Sequence, residues 1–222
     1  MKRFLVILAF VMAVIGMMAG QARATAELEL IDTTSTGTIS ETIIDSTGTG
    51  VVNFTGQFAG YEFNVTTGVT MPAVGSAGNP TMDLSSVNIQ GTGGGGTLTL
   101  KFTDTGFSYS GGMTFAPAIN LLSAYPTTVT AAAYWGSNPF DMTHQIGSTL
   151  SFSGNGGIGS VTGSVLPSTL TEVLTINPDQ NGDSVFVSAD ATLTTPEPAS
   201  LLLVGGGLGL GGLLSRFRKK KA

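Results

Sequence analysis

Apolar and polar side chains alternate along much of this chain. Leu98, Leu100 and Phe102 interleave with Thr99, Lys101 and Thr103. Tyr61, Phe63 and Val65 interleave with Glu62, Asn64 and Thr66. Val185, Val187, Ala189, Ala191 and Leu193 interleave with Ser184, Phe186, Ser188, Asp190 and Thr192. A period of two places alternate residues on opposite faces, so each segment is predicted as a half-buried strand. Residues 26–31, 37–44, 50–54, 86–90, 128–135, 148–153, 161–165 and 170–176 are further strand candidates. Turn signals separate them at 93–96, at 154–157 and at 179–183, where Asn181-Gly182 favours a tight hairpin because both residues tolerate positive φ. Many short strands with glycine-rich turns predict an all-β fold, a single β-sandwich of Greek-key or jelly-roll type. Phe115–Tyr125 is the one stretch predicted as a short helix, with Pro117 in its first turn. The alternative to the sandwich is a disordered Thr/Ser-rich stalk, which the regular alternation and twelve phenylalanines argue against.

The two ends follow a different pattern. Lys2 and Arg3 precede an uncharged apolar run from Phe4 to Met18, and Ala22-Arg23-Ala24 follows. A basic start, an apolar core and small residues at an A-x-A site form a secretory signal. Signal peptidase would cut after Ala24, so the mature chain would begin at Thr25. At the other end, Pro196-Glu197-Pro198 leads into an apolar block from Ala199 to Leu214 that contains six glycines. This block is shorter than the ~20 residues of a full membrane-spanning helix. Arg216, Arg218, Lys219, Lys220 and Lys221 lie behind it, and the positive-inside rule keeps them cytoplasmic. Both ends therefore send the middle of the chain outward.

The order of triplet, short glycine-rich helix and basic cluster resembles the PEP-CTERM sorting signal of exported bacterial proteins. The resemblance covers Pro196–Ala222. It implies processing by an exosortase, a membrane transpeptidase that acts on the Pro196–Pro198 triplet. It also implies a Gram-negative envelope, a transient inner-membrane intermediate held by the tail, and a destination at the cell surface or in an exopolysaccharide matrix. The expected organisation is a signal peptide (1–24), an all-β extracellular domain (25–195) and a sorting tail (196–222), with a helix in each terminal segment.

Charge sharpens the reading of the middle. Residues 25–195 carry thirteen Asp and Glu but only one base, Lys101. Such a surface repels nucleic acid and anionic membranes. The chain has no cysteine and one histidine, His144, which excludes thiol catalysis, cysteine zinc sites and iron–sulfur clusters.

Few constellations remain. Gly154-Asn155-Gly156-Gly157-Ile158-Gly159 fits G-x-G-x-x-G, but strand-like residues follow it where a dinucleotide site needs a helix, so it is read as a hairpin loop. His144 lies three residues after Asp141, yet no nucleophile elbow accompanies them, and no catalytic site is expected. Asp179, Asn181 and Asp183 place oxygen ligands at alternate positions of a turn, which suits calcium or a plain acidic hairpin. Tyr134, Trp135 and Phe140 cluster in or beside a loop, where aromatic planes either stack on sugar rings or pack into the core. The leading expectation is a non-enzymatic structural or adhesive component of the surface or matrix. The alternative is a carbohydrate-binding module that uses the Tyr134–Phe140 loop on extracellular polysaccharide.

Overall fold

A computed structural model describes residues 25–93, 95–166, 169–178 and 185–196. The signal segment, Glu197 onward and the 179–183 turn lie outside the described residues, and so do the helices expected at the two ends. The described residues form thirteen strands and no helix. They are β1 (Glu27–Thr34), β2 (Gly37–Ile44), β3 (Val51–Phe58), β4 (Tyr61–Val69), β5 (Thr81–Gly91), β6 (Thr97–Asp104) and β7 (Gly111–Ser123). There follow β8 (Thr127–Gly136), β9 (His144–Phe152), β10 (Gly156–Ile158), β11 (Val161–Val165), β12 (Thr169–Pro178) and β13 (Val185–Thr194).

Two antiparallel sheets result. The first runs β2-β1-β6-β12-β8-β9. The second runs β10-β7-β13-β5-β4-β3, with β11 also on β7. The alternation explains the layering, because each strand has one apolar face to hide. In the first sheet, Leu30, Leu100, Leu174 and Ala131 form a cross-strand row, all buried. In the second, Leu193 and Phe115 pair inward, as do Ala191 and Leu84. These inner faces enclose one apolar core. Phe102 from the first sheet lies against Gly68 of β4, where a Cβ would come within 2.5 Å of the ring. Only a residue without a side chain lets the two sheets approach this closely there.

The helix expected at Phe115–Tyr125 is instead most of β7. Met113, Phe115, Ile119 and Leu121 are buried, while Thr114, Ala116, Ala118, Asn120 and Leu122 face outward. That period of two outweighs the helix-start signal of the proline. Pro117 fits the sheet because it falls between two partners on one side. β11 pairs with Gly111–Phe115, and β10 pairs with Ala118–Asn120. Where the missing N–H would point, the chain is passing from β10 to β11, and only the Pro117 carbonyl is used, accepting from Gly159 N–H at 3.0 Å.

Candidate functional site

The aromatic segment falls at the end of β8 and in the loop to β9. Tyr134 and Trp135 are consecutive strand residues, so they point to opposite faces. Tyr134 faces outward beside Thr171 of β12 and Gln145 of β9. Trp135 shares the inward side with Ala133 and packs partly on the core at the end of the sandwich. The two rings therefore do not form one platform.

Asp141 shapes the loop from β8 to β9. It accepts from Ser137 N–H at 3.0 Å, Ser137 Oγ at 3.4 Å, Thr143 N–H at 2.9 Å and the Thr143 hydroxyl. The Thr143 and Ser137 hydrogen bonds outweigh a weak desolvation effect and hold its carboxyl at about 2, well below the usual range. The turn puts Phe140 in the left-handed region, at φ 59°. Its N–H reaches Thr103 Oγ1 at 3.4 Å, in the outward row Thr103–Thr171–Tyr134. Phe140 is thus tied to the Tyr134 side of the sheet.

Trp135 gains a partner that sequence reasoning did not supply. His144 opens β9 directly opposite Trp135 in the antiparallel register. Their rings stack at 4.0 Å between centroids, with 16° between planes. His144 is exposed and Trp135 half-buried, so the imidazole forms the outer layer of the stack. Beside the pair lies a cavity of about 290 Å³ lined by Ser137, Asp141, Thr143, His144, Leu166 and Trp135. The arrangement offers an aromatic surface flanked by hydroxyls and one carboxylate.

Asp141 and His144, three residues apart in sequence, are not linked to each other. The Asp141 hydrogen bonds go to Ser137 and Thr143, and none joins His144. A catalytic relay needs that link to orient the imidazole. Among the described residues no group of three His, Asp or Glu side chains is placed to hold a metal. The calcium candidates Asp179, Asn181 and Asp183 lie outside the described residues, as do Ala22, Ala24, Glu197, Pro198, Arg216, Arg218, Lys219, Lys220 and Lys221. Pro196 is the last described residue and is exposed, two positions past the end of β13.

No protein-family model matches the sequence, and a search of curated proteins finds no relative. Solved structures with a distant likeness include carbohydrate-binding modules and an adhesin domain. One comes from work on carbohydrate-binding modules of the beta-sandwich super family, at 14% identity, covering 76% of this chain and 71% of that one, with a TM-score of 0.31. Another is chitosan-binding module 1 of a chitosanase/glucanase from Paenibacillus sp. IK-5, at 15% identity, covering 64% and 92%, with a TM-score of 0.31. A third is the K1 cleaved adhesin domain of Lys-gingipain from Porphyromonas gingivalis, at 12% identity, covering 67% and 91%, with a TM-score of 0.29. Likenesses this loose carry no argument about what the chain binds.

Proposed function

We propose that this chain is an exported, non-catalytic component of a bacterial cell surface or exopolysaccharide matrix, and that it holds neutral glycan through the Trp135–His144 end of its sandwich. The stacked pair carries the reading. An exposed aromatic face packs against the C–H face of a pyranose ring, and nearby polar groups engage its hydroxyls. Ser137, Asp141 and Thr143 supply those groups at the cavity wall. The acidic surface disfavours polyanionic chains.

Delivery rests on the terminal segments. The signal sequence exports the chain, and the tail from Pro196 holds it in the inner membrane until an exosortase acts. The order of strands, with β1, β6, β12 and β8 adjacent despite their separation in sequence, is read as Greek-key or jelly-roll connectivity. A glycan-holding sandwich released at the surface fits both the adhesive and the structural role.

The test is a screen of neutral glycans followed by titration calorimetry on the best ligand. His144→Ala, an exposed change, is expected to weaken binding about tenfold, the scale of one aromatic stacking contact. Unchanged affinity in that variant, or no neutral glycan bound by the parent chain, would remove the binding role and leave the purely structural reading.

A further inference from the structure

A second recess lies away from the Trp135–His144 end, on the outer face of the second sheet. It has a volume of about 530 Å³. Its floor is one cross-strand row in which Ile158, Ala118, Asp190 and Ser85 lie side by side on β10, β7, β13 and β5. The next row is Gly156, Asn120 and Ser188. Small side chains keep this floor low. Gly156 lets β10 press against β7, since a Cβ there would come within 2.1 Å of the Ile119 carbonyl oxygen, at φ +88°. Ile158, 86% exposed, raises one rim. One row beyond Asn120 and Ser188, the exposed pair Leu122 and Phe186 borders the other side.

The one charged side chain lining this groove is acidic. Asp190 is exposed within it. Asp83 lies in the adjacent row, opposite Thr192, and one of its oxygens is buried without an ordinary donor. Burial, the Asp190 charge and a hydrogen bond to Asp190 push the Asp83 carboxyl up to about 6. Glu172, fully buried on β12, is pushed up by burial and then by these same two charges. Lys101, the one base between residues 25 and 195, belongs to the other sheet and is bound to Glu29 at 3.0 Å. Nothing cationic in the domain serves this face.

We propose that the groove binds an amine-bearing polysaccharide of glucosamine type, its ammonium at Asp190 and its hydroxyls on Asn120, Asn155 and Ser85. Charge complementarity selects this occupant. A polyanion is repelled, and a neutral chain leaves the Asp190 carboxylate without a counter-charge. The groove floor crosses several strands, which suits an extended polymer more than a compact ligand. This site is independent of the neutral-glycan reading. With both occupied, one molecule would bridge two chains of a matrix.

The test uses the purified chain at pH 6 with a glucosamine hexamer, an N-acetylglucosamine hexamer and hexalysine. Calorimetry is expected to show binding of the glucosamine hexamer at least about tenfold tighter than of the acetylated one. Asp190→Asn and Ser85→Arg should each weaken it about tenfold or more, with melting temperatures near the parent's. Ile39→Thr, an exposed change on β2 of the other sheet, should leave it unchanged. Equal affinity for the two hexamers, or indifference to both groove variants, overturns the proposal. Hexalysine binding as tightly, with the same response to Asp190→Asn, reduces the effect to general charge attraction and overturns it too. Loss in His144→Ala alone would assign all binding to the Trp135–His144 end.

Discussion

Three carboxyl side chains, Asp45, Asp104 and Glu172, show how placement sets the titration of one chemical group. Asp45 is drawn up by burial, but hydrogen bonds from the Thr47 hydroxyl, Gly50 N–H, Thr47 N–H and the Thr49 hydroxyl outweigh this and hold it at about 2. It pins the loop from β2 to β3. Asp104 accepts from the Thr70 hydroxyl at 2.8 Å and Thr105 N–H at 2.7 Å. These do not offset its burial, and with Asp45 nearby its carboxyl rises to about 7. Glu172 has no hydrogen-bond partner for either oxygen, and burial, then the Asp83 and Asp190 charges, raise its carboxyl well above the usual range. Asp104 gives a pH test. Its folded pKa lies above the unfolded value, so the folded state keeps the proton longer, and stability falls as pH rises from about 4 through 7. The parent should lose on the order of 2–4 kcal/mol across that window from this group. Asp104→Asn should lack that loss. The difference between parent and variant in urea melts at pH 5 and pH 8 measures it, and a pH-independent difference would contradict the assignment.

At the scale of elements, the contact between sheets matters more than any single strand. The Phe102 ring lies on Gly68, and a methyl group there must displace the ring or spread the sheets. Gly68→Ala is expected to destabilise the domain by about 1–3 kcal/mol, the usual cost of overpacking. A denaturant midpoint equal to the parent's would show the contact to be loose. Bulges matter as well. The pairing of β3 with β4 shifts between Phe54 and Gly56, and that of β13 with β5 shifts between Val187 and Ala189. An extra residue reverses which side chains face inward. This is why Val65 is only half-buried while Thr66 is buried, hydrogen-bonded to Ser86 at 2.6 Å. Simple alternation from Tyr61 to Thr66 assigns those two the other way.

For the whole molecule, two features bear on the proposed place outside the cell. The sandwich is acidic throughout, and its strands close without disulfides. The described residues then end at Pro196, just beyond β13, at the start of the Pro196–Pro198 triplet. Intact mass and terminal peptide mapping of protein from its native host should find a chain starting at Thr25 and ending near Pro196–Pro198 in the matrix fraction. A chain still carrying Leu201–Ala222 in the membrane fraction would mean a permanent anchor and would end the exosortase reading.

The sequence by itself determined the all-β character, the acidity and the lack of thiol chemistry. Each is local or additive: a period of two, a count of charges, an absent residue type. The alternation of β7 is also written in the sequence, but Pro117 reads there as a helix start, and only the gap between β10 and β11 shows how a proline fits the strand. Tertiary structure alone decided which strands adjoin, because β6 contacts β1 and β12 through pairings that no local pattern specifies. It separated Tyr134 from Trp135, since neighbours in a strand face opposite ways. It set His144 on Trp135 through the register of β8 and β9, and Asp190 beside Asp83 through that of β13 and β5. Side-chain chemistry is written along the chain, but its environment is fixed by contacts between distant segments.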